Sequence, residues 1–260
     1  MKSFLLSVIL LSAACQNTSQ TTTSSVTDPQ RNARVAAGVH VAKKYKVVVE
    51  DQRELAAQLT YNAEGLLTEE VTYRGGKPVS TVVYTYHPDF SVNTASKNGK
   101  PHMRRLLQDG GRTVVEETYL LHDTLRTVYE NDAQGRHLMS ETSKAGQVRT
   151  QNTYTWSVTG DTLRVLQEAA SGPREFVQVL HQGRVIKEQR FADGAEVYLE
   201  ENTYSPEGLP TFQKRIDKAG CAFTTTFTYQ AGLLQSEVNG FECEGQVGQV
   251  VYVWEYERFE

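Results

Sequence analysis

A chain of 260 residues with 39% hydrophobic and 22% charged side chains carries enough apolar surface for a domain-sized core, which excludes wholesale disorder. Its formal net charge of -4 provides no broad basic footprint, so nucleic acid is excluded as an expected partner. Three cysteines are too few for a disulfide-framework fold.

The chain opens on Lys2, an apolar run from Phe4 to Leu11, and small residues up to Cys15, the pattern of a secretory leader over residues 1–14. The run is shorter than the about 20 apolar residues of a permanent span, so export and cleavage are expected. The stretch "LSAAC" resembles the lipobox of bacterial lipoproteins, with Ser12 where leucine is usual and Leu11 one place earlier. That resemblance implies lipidation of Cys15, of the palmitate kind, as the new N-terminus. The plainer reading is a cut after Ala14 that leaves a free Cys15. With Gln16 in place of Asp, the resemblance further implies an outer-membrane anchor, the protein facing the periplasm or the surface, and the membrane as a partner through its lipid. Residues 15–33 are polar and rich in Thr and Ser, without a hydrophobic pattern, and read as a flexible tether.

The hairpin domain is expected over residues 34–260. Its entry, 34–61, is the least regular part: "ARVAAGVHVAKKY" is compatible with a short helix and "KYKVVVED" with a strand. From Leu59 turn signals recur at Gly65, Pro88, Gly110, Gly135, Gly160, Gly183, Gly208 and Gly232. A second series lies between them, at Gly75, Gly99, His122, Gly146, Gly172, Gly194, Gly220 and Gly245. A chain that reverses this often makes short antiparallel strands in sequence order, a β-meander of about eight hairpins.

The strands alternate with a period of two. In "FTTTFTY", Phe223, Phe227 and Tyr229 share one face and Thr224, Thr226 and Thr228 the other; "VVYVWEY" gathers Tyr252, Trp254 and Tyr256. The aromatic face is expected to form the core and the Thr, Gln, Glu and Arg face to meet water. A sheet with one apolar face must hide it, so the fold class is all-β, a curled sheet closing as a half-barrel or barrel. A four-bladed β-propeller is the alternative.

"LTYNAEGLL" at Leu59 and "FTYQAGLL" at Phe227 are the first and last clear beats of one period. An aromatic, a polar pair, Gly and an aliphatic residue, as in Tyr61-Asn62-Ala63-Glu64-Gly65-Leu66-Leu67, resembles the YD repeats of Rhs-type proteins over Leu59 to Glu257. The resemblance implies a curling sheet that serves as shell or scaffold and is not itself catalytic.

The histidines, at 40, 87, 102, 122, 137 and 181, never fall at a metal-ligand spacing. His87 and His122 are expected in solvated loops. There is no nucleophile elbow, and the glycine pairs lack the strand-to-helix context of a phosphate loop. The doublets Glu116-Glu117 and Glu200-Glu201 point to opposite faces of their strands, so they are not expected to act as acid–base pairs. No catalytic residue, metal or cofactor is expected. Cys221 and Cys243 are expected to bridge in an oxidising compartment, with a bulge correcting a two-residue register offset. The leading function is a non-enzymatic binding or scaffold module of the cell envelope, with an envelope protein or glycan as partner. The alternative is a periplasmic carrier of a lipid or other hydrophobic ligand in a β-lined cavity.

Overall fold

The computed structural model describes residues 28–49, 52–89, 91–169 and 172–259. The leader, Cys15 and most of the tether lie outside the described residues. A helix, α1 (Pro29–Ala36), comes first, followed by β1 (Val39–Val49), β2 (Gln52–Tyr61), β3 (Leu67–Arg74), β4 (Lys77–Tyr86), β5 (Val92–Lys97) and β6 (Lys100–Gln108). Next are β7 (Thr113–Tyr119), β8 (Thr124–Asn131), β9 (His137–Lys144), β10 (Gln147–Thr159), β11 (Thr162–Ala169) and β12 (Arg174–His181). The chain finishes with β13 (Arg184–Ala192), β14 (Ala195–Tyr204), β15 (Pro210–Asp217), β16 (Ala222–Gln230), β17 (Leu233–Cys243) and β18 (Gln246–Arg258).

Each strand pairs antiparallel with the next, and β18 returns to pair with β1 along Val39–Val47. The 18 strands therefore form one closed up-and-down barrel with no free edge. The ring is continuous, not divided into propeller blades.

The two turn series of the sequence become the two rims. Turns at Gly65, Gly110, Gly135, Gly160, Gly183, Gly208 and Gly232 lie on the rim that carries α1, here the helix rim; those at Gly75, Gly99, Gly146, Gly194, Gly220 and Gly245 form the far rim. The irregular entry supplies β1 and β2, which the turn signals alone did not separate. The helix begins at Pro29, inside the segment read as tether. Its start is written locally: the Asp28 side chain accepts from the Gln30 and Arg31 backbone N–H groups, and Pro29 fills the first helical turn.

The helix sits between the two turns whose sequences echo each other. A Cβ on Gly65 would stand 2.8 Å from Val35 Cγ2, and one on Gly232 would stand 2.8 Å from Ala33 Cβ. Both glycines have positive φ, 71° and 78°, so each provides both the reversal and the room for the helix. Under the helix lies the compact core: Val39 (2% exposed), Ala42 (1%) and Tyr61 (7%), flanked by Leu59, Leu67, Leu233, Trp254 and Tyr256.

The repeat has a hydrogen-bond meaning as well. Tyr86 O–H donates to Leu67 O at 2.5 Å, Trp156 Nε1–H to His137 O at 2.5 Å, Tyr204 O–H to Val185 O at 3.0 Å and Tyr256 O–H to Leu234 O at 2.6 Å. Every acceptor lies two residues after a turn glycine, at Gly65, Gly135, Gly183 and Gly232. The aromatic that ends one hairpin thus ties down the turn that began it, satisfying a carbonyl at the rim.

On the far rim Cys221 and Cys243 are joined, with Cα atoms 4.4 Å apart. Tyr229 pairs with Leu234, but a bulge between Thr228 and Tyr229 shifts the ladder so that Ala222 faces Glu242. The next pair outward is then Cys221 opposite Cys243.

Candidate functional site: the barrel lumen

Alternating burial identifies the inner face. In β10, Asn152, Tyr154 and Trp156 are half-buried while Thr153, Thr155 and Ser157 are exposed, and β18 does the same from Trp254 to Glu257. The inner set includes the aromatic face, and α1 meets it through Arg34 over the Tyr61 ring and Gln30 donating to the Tyr229 hydroxyl at 3.2 Å. Register carries the assignment round the ring: Lys44 faces Trp254, Glu70 faces Leu59 and Val82, Arg105 faces Glu116, and Glu200 faces Arg215.

The expectation of a dry aromatic core and a separate wet face is therefore corrected. The compact apolar cluster is confined to the helix rim, and elsewhere the inner face mixes rings with ionised groups. Lys44 Nζ lies 3.0 Å from Glu237 Oε2, 4.1 Å from the centre of the Tyr252 ring and 5.3 Å from that of Trp254. Both charged side chains of that pair are largely buried, which strengthens their attraction and demands it. Asn239 donates to Glu237 at 2.6 Å.

Around β12–β15 a second network forms. Gln178 Nε2 donates to Glu188 at 2.7 Å and Arg190 Nε to the other oxygen of Glu188 at 2.6 Å. Arg190 also lies over the Tyr198 ring, 4.3 Å from its centre. Tyr198 O–H, Asn202 and Gln213 all donate to Glu200. Burial, reinforced by the Glu200 hydrogen bond and charge, pushes the Tyr198 hydroxyl pKa up.

A third group lines β6–β10. His137 stacks on Tyr129, ring centres 4.7 Å apart, and its Nδ1 is 2.6 Å from Asn131 Oδ1. Ser140 bridges Tyr154 O–H at 3.0 Å and Asn152 at 3.1 Å. Burial holds the His137 pKa below its usual range, and the Arg105 guanidinium lowers it further. Burial and then the Glu116 charge push Tyr129 up to about 12. Arg105 Nε and Trp254 Nε1 are buried without a hydrogen-bond partner. Glu70 is raised chiefly by burial, against a hydrogen bond from Tyr84 that lowers it.

These contacts run along the wall. The hydrogen bonds and ring contacts named above lie within one strand or join strands that are adjacent or two apart in the ring. A circular ring of eighteen strands would measure roughly 35 Å across between backbones, wider than opposed side chains can fill.

The outer face is also charged. Lys43, Glu69, Arg104, Glu117, Arg126 and Glu141 project outward from successive parts of β1–β9, and Arg164, Glu175, Lys187, Glu201 and Lys214 continue the series. Lys43 pairs with Glu257, Arg53 with Glu255 at 3.2 Å, and Arg164 with Glu175 at 3.1 Å. A lipid-facing Arg or Lys costs about 2–4 kcal/mol at mid-membrane. Among the described residues the outer wall has no continuous apolar band.

No protein-family model and no curated protein matches the chain. Among solved structures, a porin-like protein from Bacteroides uniformis is similar with a TM-score of 0.44 and 12% identity, over 84% of this chain and 95% of that one. The barrel described above rests on this chain's own strand pairing.

Cys221 and Cys243 meet on the far rim. The glutamate doublets split, with Glu116 and Glu200 inside and Glu117 and Glu201 outside. His122 is exposed on its turn, but His87 departs from the solvated-loop expectation: it is half-buried, with Nε2 2.9 Å from Arg105 O. No pattern in the chain signals that His137, Arg105, Glu188 and Lys44 share an interior, since only closure of the ring decides that. Among the described residues no group of His, Cys, Asp or Glu could hold a metal, and no helix is long and apolar enough to cross a membrane.

Proposed function

We propose that this chain is a non-enzymatic, lipid-tethered protein of the bacterial envelope whose barrel stands in water and binds a polar ligand along its lumen. The observation that carries the reading is that both faces of the same strands hold ionised side chains. A membrane-spanning wall would have to desolvate the outer set. The exported leader and the "LSAAC" motif supply the tether, with Cys15 as its lipidated end and the outer membrane as its address.

The lumen favours binding over catalysis. Glu188, Glu200 and Glu237 are each held by neighbouring donors, an arrangement that fixes a carboxylate as an acceptor. It also favours a polar occupant over the hydrophobic cargo of a lipid carrier, because such cargo would strip water from Arg105 and Glu70 without replacing it. Glycans suit a wall that alternates rings with carboxylates and guanidinium groups.

A photo-crosslinking side chain placed at Thr127, inside, is expected to capture the envelope ligand, and one at Thr226, outside, to capture none. Equal capture from both would reject the lumen as the site. Palmitate label on the native chain and its absence from Cys15→Ser would establish the tether; label on neither would remove it.

A further inference from the structure

We propose that an arc of the far rim, over the four consecutive turns from β3 to β10, docks on the anionic headgroups of a bilayer. These turns present Arg74, Lys77, Lys97, Lys100, Lys144 and Arg149. Asp123, in the β7–β8 turn, is paired with Lys144 at 3.0 Å. Among the described residues Arg74, Lys77, Lys97, Lys100 and Arg149 are exposed and make no ion pair.

The same arc exposes large apolar side chains where a headgroup layer would receive them. Leu121 is 85% exposed at the tip of its turn, with Leu120 at 46%, Val148 at 56% and Val79 at 50%. Leu120 and Leu121 at a turn tip, with Val79 and Val148 set among the cations, match an interfacial layer, in which phosphates meet the cations and the acyl boundary meets the leucines. The opposite arc of the same rim is acidic on balance, with Asp193, Glu196, Asp217, Glu242 and Glu244 against Lys218 at its turns. Charge complementarity therefore selects one side of the rim and sets a tilt, with β3–β10 toward the membrane and β13–β18 away from it.

The inference goes beyond the lipid tether and does not need it, and the two are geometrically compatible. Cys15 precedes the helix rim, yet the stretch from Cys15 to Asp28 can reach at most ~45 Å. Tilted strands of eight to ten residues make a wall of only ~25 Å. An acyl chain at Cys15 thus leaves the far rim free to rest on the same bilayer.

The test uses the processed chain from residue 15 with Cys15→Ser, so that no acyl chain contributes. It is sedimented with vesicles of phosphatidylethanolamine with or without roughly 30% phosphatidylglycerol. Binding is expected only to the anionic vesicles, weakening as salt is raised. Combined Lys77→Glu, Lys97→Glu and Lys100→Glu should weaken it about a hundredfold or more. Leu121→Asp should weaken it with the charges intact, and Glu242→Lys with Glu244→Lys should not weaken it. Circular dichroism of each variant confirms the barrel. Equal binding to neutral vesicles, no binding to anionic ones, unchanged binding of the folded triple variant, or tighter binding to poly-glutamate than to vesicles would each overturn the proposal.

Discussion

The inner and outer faces of this barrel are made by the same strands, yet a charge does different work on each. Outside, Lys43 meets Glu257 and Arg53 meets Glu255, pairs whose carboxylates are more than half exposed. Inside, Lys44 and Glu237 are largely covered by rings and by each other. Neighbouring lysines, one residue apart, thus fall into an exposed pair and a covered one. The difference teaches that alternation in this chain does not separate apolar from polar; it separates aromatic-and-charged from aliphatic-and-charged, with the aromatic half turned inward.

Substitutions can break that contrast. The largest effect is expected at Tyr61, which is buried under α1 and anchors the small apolar core: Tyr61→Ala should cost about 3–4 kcal/mol in denaturant unfolding. Replacing Cys221 and Cys243 by Ser, which opens a loop of 22 residues at the far rim, should cost about 3 kcal/mol. Tyr204→Phe removes only the hydroxyl that ties Val185 O and should cost about 1 kcal/mol, a direct reading of what one rung of the rim ladder contributes.

A smaller effect should come from His137. Its folded pKa lies below 6.5, so in the window beneath 6.5 the unfolded chain takes up a proton that the folded chain refuses. Stability should therefore fall as pH drops through that window, and the loss of Tm between pH ~7.5 and ~5.5 should shrink in His137→Gln. Smallest of all, Lys43→Ala on the outer wall should leave stability nearly unchanged, because an exposed pair is screened by solvent. If Lys43→Ala costs as much as Lys44→Ala in parallel melts, the distinction between the faces fails.

Much of the fold was legible in the sequence because turns are written locally. Glycines at positive φ mark both rims, and the strand lengths between them leave little choice but a meander. The disulfide was legible for the same reason, once a bulge was allowed. Which strand closes the ring, and so a full barrel as against a half-barrel, was not, since β1 has no glycine turn before β2 and its Lys43, Lys44 and Lys46 hide the alternation. The helix was only partly legible: a short helix was open from Ala33 onward, but its start at Pro29 was read as tether because its apolar contribution is small, Val35 and Ala33 against two turns. The lumen was the least legible part: Glu116 and Glu117 look alike in sequence, and only the register with Arg105 and Arg104 turns one inward.

The central claim, a barrel wall bathed by water on both faces, is tested most directly by fractionating cells that express Cys15→Ser and washing their membranes with alkaline carbonate. The account predicts that the native chain stays with the membrane, whereas Cys15→Ser is released as a folded, disulfide-bonded protein. Retention of the folded Cys15→Ser chain, once freed of its leader, after the wash would contradict it, because a lipid-embedded wall would then be what holds it there.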